Sequence, residues 1–429
     1  MKRIMLFTLL LLSSIVFVFA EGGAEETAPE DLAGTTISIL SFSTEFNDQG
    51  IIADFEERTG INVEMEVVPT ENYEAKLRPL LATGTEVPDI FLGEAAFVRQ
   101  FVEAGYWDTL SEAPYNADTS NMYDYAVEMG STEEGDVVAL TWQTTPGGWF
   151  YRRSIAQDVF GVESPEEVAE LFSDWDTVLE TAETLKENGY AMFPGIGETL
   201  FRIFYANRDE AWVNDNNEFV IDDQIKEYFR VTKTVRDMGY DAKLADWSGP
   251  WFEEMNTAPG DANVFVYGFP TWGLQFVISG QENSSGDWAV TAGPGPFFWG
   301  GTWLGIYEDA PATNKAAAWE FIKMLTQDEE YMTMYAKRSE DFLSNKEVME
   351  EVVPTMSSPV LDGQNHFDFF AEAAEEIDGS TIKGYDYQIN QILSQVMNEY
   401  LEGGLGYEDA LQELTKRVLE AYPRLTAAE

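Results

Sequence analysis

The sequence contains no cysteine and a single histidine, His366, among its 429 residues. Disulfides, thiolate nucleophiles and Cys/His zinc sites are therefore excluded, and any histidine-based triad would rest on one imidazole. His366 sits in a polar run with Asp362, Gly363, Gln364 and Asn365, and is assigned no role. Basic residues are also scarce, with 25 Lys and Arg against 77 Asp and Glu, a formal charge of −52. Such a chain repels phosphates instead of neutralising them, so it is no simple nucleic-acid binder. Phosphate cradles are missing as well. Neither G-x-x-x-x-G-K-[ST] nor a strand-borne G-x-G-x-x-G occurs, and in 293–296 the two prolines remove the N–H groups a cradle requires. The acids are spread along the whole chain, which reads as a solvated surface adapted to salt, not a dedicated cation site. The melting temperature is accordingly expected to rise between low and molar NaCl. A fall measured by calorimetry would refute that reading.

The one long apolar run lies at the start. Lys2 and Arg3 precede residues 4–20, which end Val18-Phe19-Ala20. This pattern predicts a signal peptide over 1–20, cleaved before Glu21, and an exported protein. The run is short for a membrane anchor and an acidic stretch follows it. Residues 21–34 read as a disordered leader. The remaining chain exceeds one ordinary domain, and two lobes are the natural expectation.

From residue 36 the pattern alternates. Strands are predicted at 36–42, 62–68 and 87–92, with helices at 51–59, 73–83 and 95–104; Gly60 and Gly84 close the first two helices. Alternation at this length means βαβ units and a parallel sheet. Ligands bind beyond the carboxyl ends of strands in such sheets. That rule points to the loop carrying Ser43 and Glu45 and to Glu94, although plain loop solvation would account equally for both acids. Further strands are predicted at 137–141, 149–152, 263–272, 288–290 and 302–306. Gly147 and Gly148 fit either a hinge or a hairpin turn. Residues 214–217 suggest a calcium loop but lack the EF-hand spacing, and read as a turn. Helices are predicted at 176–188 and 225–238, then after Asn314 as N-cap, with Ala317, Ala318, Phe321, Ile322 and Leu325 on one face. The last hundred residues are mostly helical, at 330–338, 345–352, 368–377, 386–402 and 407–422.

Tryptophan and glycine recur together: Gly148-Trp149, Gly249 near Trp251, Trp272-Gly273, and Trp299-Gly300-Gly301 with Trp303. A sugar ring offers a C–H face that an indole covers, and a hydroxyl edge for carboxylates, amides and backbone groups. Of the 12 tryptophans, roughly two-thirds should be ordinary core. Those beside glycines at strand ends are the ligand-binding candidates: Trp142, Trp149, Trp272, Trp299 and Trp303, with Gly301, Glu45 and Glu94. No catalytic residue, metal ligand or cofactor is assigned.

Several motifs occur in a specific order: F-E-x-x-T-G-I-x-V at 55–63, Y-x-x-K-L at 73–77, L-A-T-G then P-D-I-F within 81–91, F-V-x-A-G at 101–105, and N-K-x-x-A-x-x-F at 314–321. Together they resemble the extracellular solute-binding proteins, family 1, sugar-binding type, that feed ABC importers. The resemblance implies a two-lobed α/β periplasmic-binding-protein fold (type II, Venus-flytrap), each lobe a mainly parallel sheet with flanking helices. It places lobe 1 at 35–141 plus 291–327 and lobe 2 at 142–290 plus 328–429. It also implies a monomer in the periplasm that captures a mono- or oligosaccharide by hinge closure and passes it to the membrane permease subunits of an ABC importer. Lacking a cysteine after the apolar run, the chain would not be lipid-anchored. Both Trp272→Ala and Trp303→Ala would then weaken binding. Two other classes stay open: a secreted glycoside hydrolase with a carboxylate pair, and a receptor for a non-sugar solute, with Arg152 or Arg202 available for a carboxylate.

Overall fold

The computed structural model describes residues 32–428, so the expected signal peptide and most of the leader lie outside the described residues. The leader's last residues are tied down. Gly34 N donates to Gly60 O at 2.8 Å, at the entrance to the first strand. Ten strands follow: β1 Thr36–Ser41, β2 Asn62–Val67, β3 Ile90–Glu94, β4 Leu140–Thr141, β5 Gly147–Arg152, β6 Glu218–Phe219, β7 Val266–Pro270, β8 Trp288–Thr291, β9 Thr302–Ile306 and β10 Thr426–Ala427. They form a five-stranded sheet in the order β2-β1-β3-β9-β4, a three-stranded sheet β7-β5-β8, and a small β10-β6 pair.

In the first sheet β2, β1 and β3 are parallel, because helices Ile51–Thr59 and Thr70–Thr83 supply the crossovers. Gly60 and Gly84 close those helices in the left-handed conformation, as the sequence indicates. Strand β9 runs antiparallel to β3 and β4, since it returns from the second sheet. Mainly parallel pairing thus holds for β2-β1-β3 and fails in the second sheet, where central β5 is antiparallel to both neighbours. Strand β5 is reached from β4 of the first sheet across residues 142–146.

Side chains alternate across β5. Trp149 and Tyr151 enter a core with helices Trp175–Glu187, Asp223–Met238, Asp386–Leu401 and Tyr407–Ala421, while Phe150 joins the core shared with the first sheet. Helix His366–Glu375 covers that second face, with His366 buried against Phe367 and Phe370. Helix Glu329–Ser339 packs on the first sheet's helices: Tyr331 donates to Asp54 at 3.1 Å and Arg338 pairs with Asp54 at 2.8 Å.

Four local readings are corrected. The third strand extends through Gly93 and Glu94, whose register partners are Trp303 and Thr302, and it begins only at Ile90. Asn314 is no N-cap; its helix, Ala312–Thr326, starts after Pro311, and its amide instead donates to Asp89 at 3.1 Å and to Thr36 O at 3.3 Å. The strand expected over 263–272 stops at Pro270, and Trp272 opens the helix Thr271–Phe276. Finally, Gly147 and Gly148 are buried residues of β5 and form no hairpin turn. Close packing is what they serve here, since a Cβ on Gly147 would fall 2.1 Å from the Phe297 ring. Gly147→Ala is expected to lower stability by about 2 kcal/mol through overpacking, measured by urea denaturation.

Candidate functional site

Where β7 ends, the chain turns at Pro270 into helix Thr271–Phe276 and brings Trp272 beside the segment that returns to the first sheet. The indole N–H of Trp272 donates to Trp299 O at 2.9 Å, and the two rings meet edge to face with centroids 5.1 Å apart. Trp247 stacks on Trp272 at 6.3 Å and 21°. It is 47% exposed and carries a φ of 64°, a sparsely populated conformation for a bulky residue. The strain is held by the following helix Gly249–Met255, whose cap Ser248 accepts from Trp251 N, and by Trp251 itself at 5.3 Å from Trp247. Trp299 lies between Phe269, parallel at 6.3 Å, and the guanidinium of Arg202, 5.0 Å from its centroid.

Arg202 belongs to helix Glu198–Ala206, where its Nε donates to Glu198 at 2.5 Å. Glu198 N in turn donates to Asp246 at 3.0 Å. Gly197 makes that approach possible, since a Cβ there would lie 2.1 Å from the Asp246 carboxylate. From the first sheet, Glu94 closes the group at the carboxyl end of β3. It accepts from Ala96 N at 2.8 Å, and Ala95 N donates to Gly301 O at 3.2 Å. Burial raises the Glu94 carboxyl above its ordinary range, further raised by Glu198 and opposed by the Ala96 N–H and the Arg202 charge. Asp246 is raised in the same way, by burial first.

Glu45, in the short helix Glu45–Asp48 after β1, forms a second carboxylate group with Asp341. Tyr335 Oη donates to Glu45 at 2.9 Å, and Gln143 Nε2 to Asp341 at 3.1 Å. Burial and the neighbouring Asp341 charge push Glu45 up to about 8. Asp341 is pushed up to about 6 by burial, against the Gln143 and Phe342 hydrogen bonds. The carboxyl is enclosed although part of the Glu45 residue reaches solvent.

Among the residues selected from sequence, Trp272, Trp299, Gly301 and Glu94 come together, and Glu45 lies at the end of the neighbouring strand. Trp142, Trp149 and Trp303 are buried behind them, with the Trp303 ring against Gly301 and Trp142 beside Asp341. Trp142 is packed on Phe46, Trp149 among Phe172, Trp175 and Phe193, and Trp303 donates to Ala126 O at 2.8 Å. Each is at most 1% exposed, so no indole face is free for a sugar ring. Trp247, Glu198, Asp246 and Asp341 were missed. A Glu and an Arg four apart behind the glycines of Gly195-Ile196-Gly197 was the available signal for the first helix, whereas nothing local marks Asp341.

The family of bacterial extracellular solute-binding proteins matches residues 50–357. The erythritol/L-threitol-binding protein of Mycolicibacterium smegmatis is 24% identical over 358 residues, 72% of this chain and 70% of its own. Among solved structures, an extracellular solute-binding protein of family 1 superposes with a TM-score of 0.78 at 19% identity, over 90% of this chain and 99% of that one. A binding protein of Bifidobacterium animalis subsp. lactis, in complex with β-1,6-galactobiose, gives 0.72 at 18% identity, over 92% and 100%. The sugar-binding protein MalE of Xanthomonas citri gives 0.72 at 18%, over 90% and 97%. Their shared architecture is the two-lobed periplasmic-binding-protein fold. Among the described residues no helix is long and apolar enough to cross a membrane.

Proposed function

The chain belongs to the bacterial extracellular solute-binding proteins, and we propose that it captures a carbohydrate between two lobes and delivers it, unaltered, to the permease subunits of an ABC importer. One observation carries this: Trp272 and Trp299 meet edge to face, Arg202 lies over the Trp299 ring, and the Arg202 charge reaches Glu94 of the first sheet, so a ligand there touches both halves. Indole faces beside carboxylates suit a ring with a C–H face and a hydroxyl edge. The polyol named for the Mycolicibacterium relative and the disaccharide bound by the Bifidobacterium protein support the same ligand chemistry.

Lobe 1 is assigned 35–141 plus 291–327 and lobe 2 the remainder, with one amendment. The contacts of Tyr331 and Arg338 with Asp54, and the donation from Ser344 Oγ to Thr141 O, favour moving 328–352 to lobe 1. The chain then crosses at 142–146, at 292–301 and again after residue 352, and closure about these crossings shuts the cleft. We assign the mature protein to the periplasm as a monomer, exported by its N-terminal signal peptide. A thermal-shift screen across polyols, mono- and oligosaccharides and amino acids tests the reading. A carbohydrate is expected to raise the melting temperature by several degrees and to be recovered intact by chromatography. Stabilisation by an amino acid alone, or cleavage of a glycoside, would replace it with the solute-receptor or the hydrolase reading respectively.

A further inference from the structure

Beyond Arg202 the aromatic site continues into a cavity of about 310 Å³. One wall is the loop at Ala95 and Ala96, next to Glu94; another is helix Glu198–Ala206; the third is helix Asp386–Leu401. That third wall has an unusual composition for this chain. Its cavity-facing residues Gln391, Ser394 and Asn398 are exposed, lie three and four residues apart on one helix face, and carry no charge. The helix's two acids are turned elsewhere: Asp386 is buried against Arg208 at 2.6 Å, and Glu399 pairs with Arg417 of the next helix at 2.8 Å. In a protein with 77 acidic residues, an exposed helix face of amides and a hydroxyl is a departure that solvation alone does not require. The side chains of Ser394 and Asn398 make no hydrogen bond among the described residues.

The opposite wall supplies what such groups lack. Phe201 is half-buried at the cavity, braced by Tyr205 at 5.3 Å and 24°. Arg202 and Glu198, which also line it, neutralise each other. An aromatic platform, uncharged donors and acceptors opposite, and balanced charge together select a neutral polyhydroxylated ring over an ion.

We infer that this cavity is an outer compartment of the cleft, holding the second and later units of an oligosaccharide while the Trp272 and Trp299 group holds the first. The inference rests on the carbohydrate reading and sharpens it: the ligand class is an uncharged oligosaccharide, and a four-carbon polyol or single sugar would fill only the aromatic end. Tyr387, at the start of the same helix, meets Phe97 of the first lobe at 6.1 Å, so a ligand in the cavity also lies where closure narrows the gap.

The test is calorimetric titration of the full chain with erythritol, glucose, galactose, and gluco- and galacto-oligosaccharides of two to four units in both linkages. Wild type is compared with Ser394→Ala/Asn398→Ala and with Phe201→Leu. The expected result is that one oligomer series binds at least tenfold tighter than its monomer. The double variant should erase most of that gain and leave monomer affinity within twofold. Exposed helix positions make misfolding of the double variant a small concern, and circular dichroism checks it. Monomer or erythritol binding as tight as any oligomer, or a gain untouched by the double variant and by Phe201→Leu, overturns the inference and leaves carbohydrate capture standing. Binding of no carbohydrate in the panel overturns both.

Discussion

Trp272→Ala is expected to weaken carbohydrate binding by about 30-fold or more while the protein stays folded. A truncated central tryptophan typically costs at least about 2 kcal/mol of binding energy. Here the loss is compounded, because Trp272 is the piece that both neighbours lean on. Its N–H holds the Trp299 carbonyl, and its face backs the strained, half-exposed Trp247. Its own partial exposure limits the cost to folding. Trp303→Ala should do the reverse. With 1% exposure and an indole N–H bonded to Ala126 O, its removal leaves a cavity and an unpaired carbonyl, costing about 4 kcal/mol of stability. Affinity of the folded fraction should be unchanged. Isothermal titration and urea denaturation on both variants separate the two. Equal binding losses would mean that the cleft wall includes Trp303 after all, as the sequence alone suggests.

That contrast marks how far the sequence could be read. The first lobe was legible because its physics is local. Period-2 apolar runs, helices closed by Gly60 and Gly84, and the βαβ rhythm need no distant partner to be recognised. The rule that ligands gather beyond the carboxyl ends of strands then pointed to Glu94 and the Glu45 loop as candidates. Tryptophans were harder, since a glycine neighbour looks the same in a core and in a cleft. Gly148 admits Phe369 and Val290 into the core, whereas Gly300, at φ 82°, lets the Trp272 ring approach. Strand β5 shows the limit most plainly: its antiparallel pairing is set by β7 and β8, more than a hundred residues further on, a fact absent from residues 147–152. Asp341 and Asp246 were beyond reach for the same reason. Each gains its meaning from a partner across the sequence, Glu45 nearly three hundred residues away and Glu198 at a separation of 48.

Glu45→Gln is expected to make the protein more stable and a poorer binder, with both effects set by pH. Glu45 faces Asp341 and Tyr335, with Gln143 on the far side of Asp341; the nearby Arg338 is already paired with Asp54. Among the described residues no cation therefore compensates the two carboxyls. In the unfolded chain Glu45 loses its proton near 4.5, but in the native protein it keeps it to about 8. Between those values the native state binds more protons, so stability is full below about pH 4.5 and declines as pH rises to about 8. Asp341 adds a similar decline between 3.8 and about 6. Glutamine retains the Tyr335 hydrogen bond without the charge. The variant should match wild type near pH 4 and exceed it by on the order of 3 kcal/mol at pH 9, as read from urea titrations across that range; parallel curves would refute the assignment. Binding should move the other way. A sugar hydroxyl donating to a desolvated carboxylate makes a charge-assisted bond, roughly twice as strong as one to an amide, so the variant should bind about tenfold more weakly at pH 9. Near pH 5, where wild-type Glu45 is itself protonated, that difference should vanish. The expected result is a buried acid pair that weakens the fold while the same desolvation strengthens its hold on a hydroxyl.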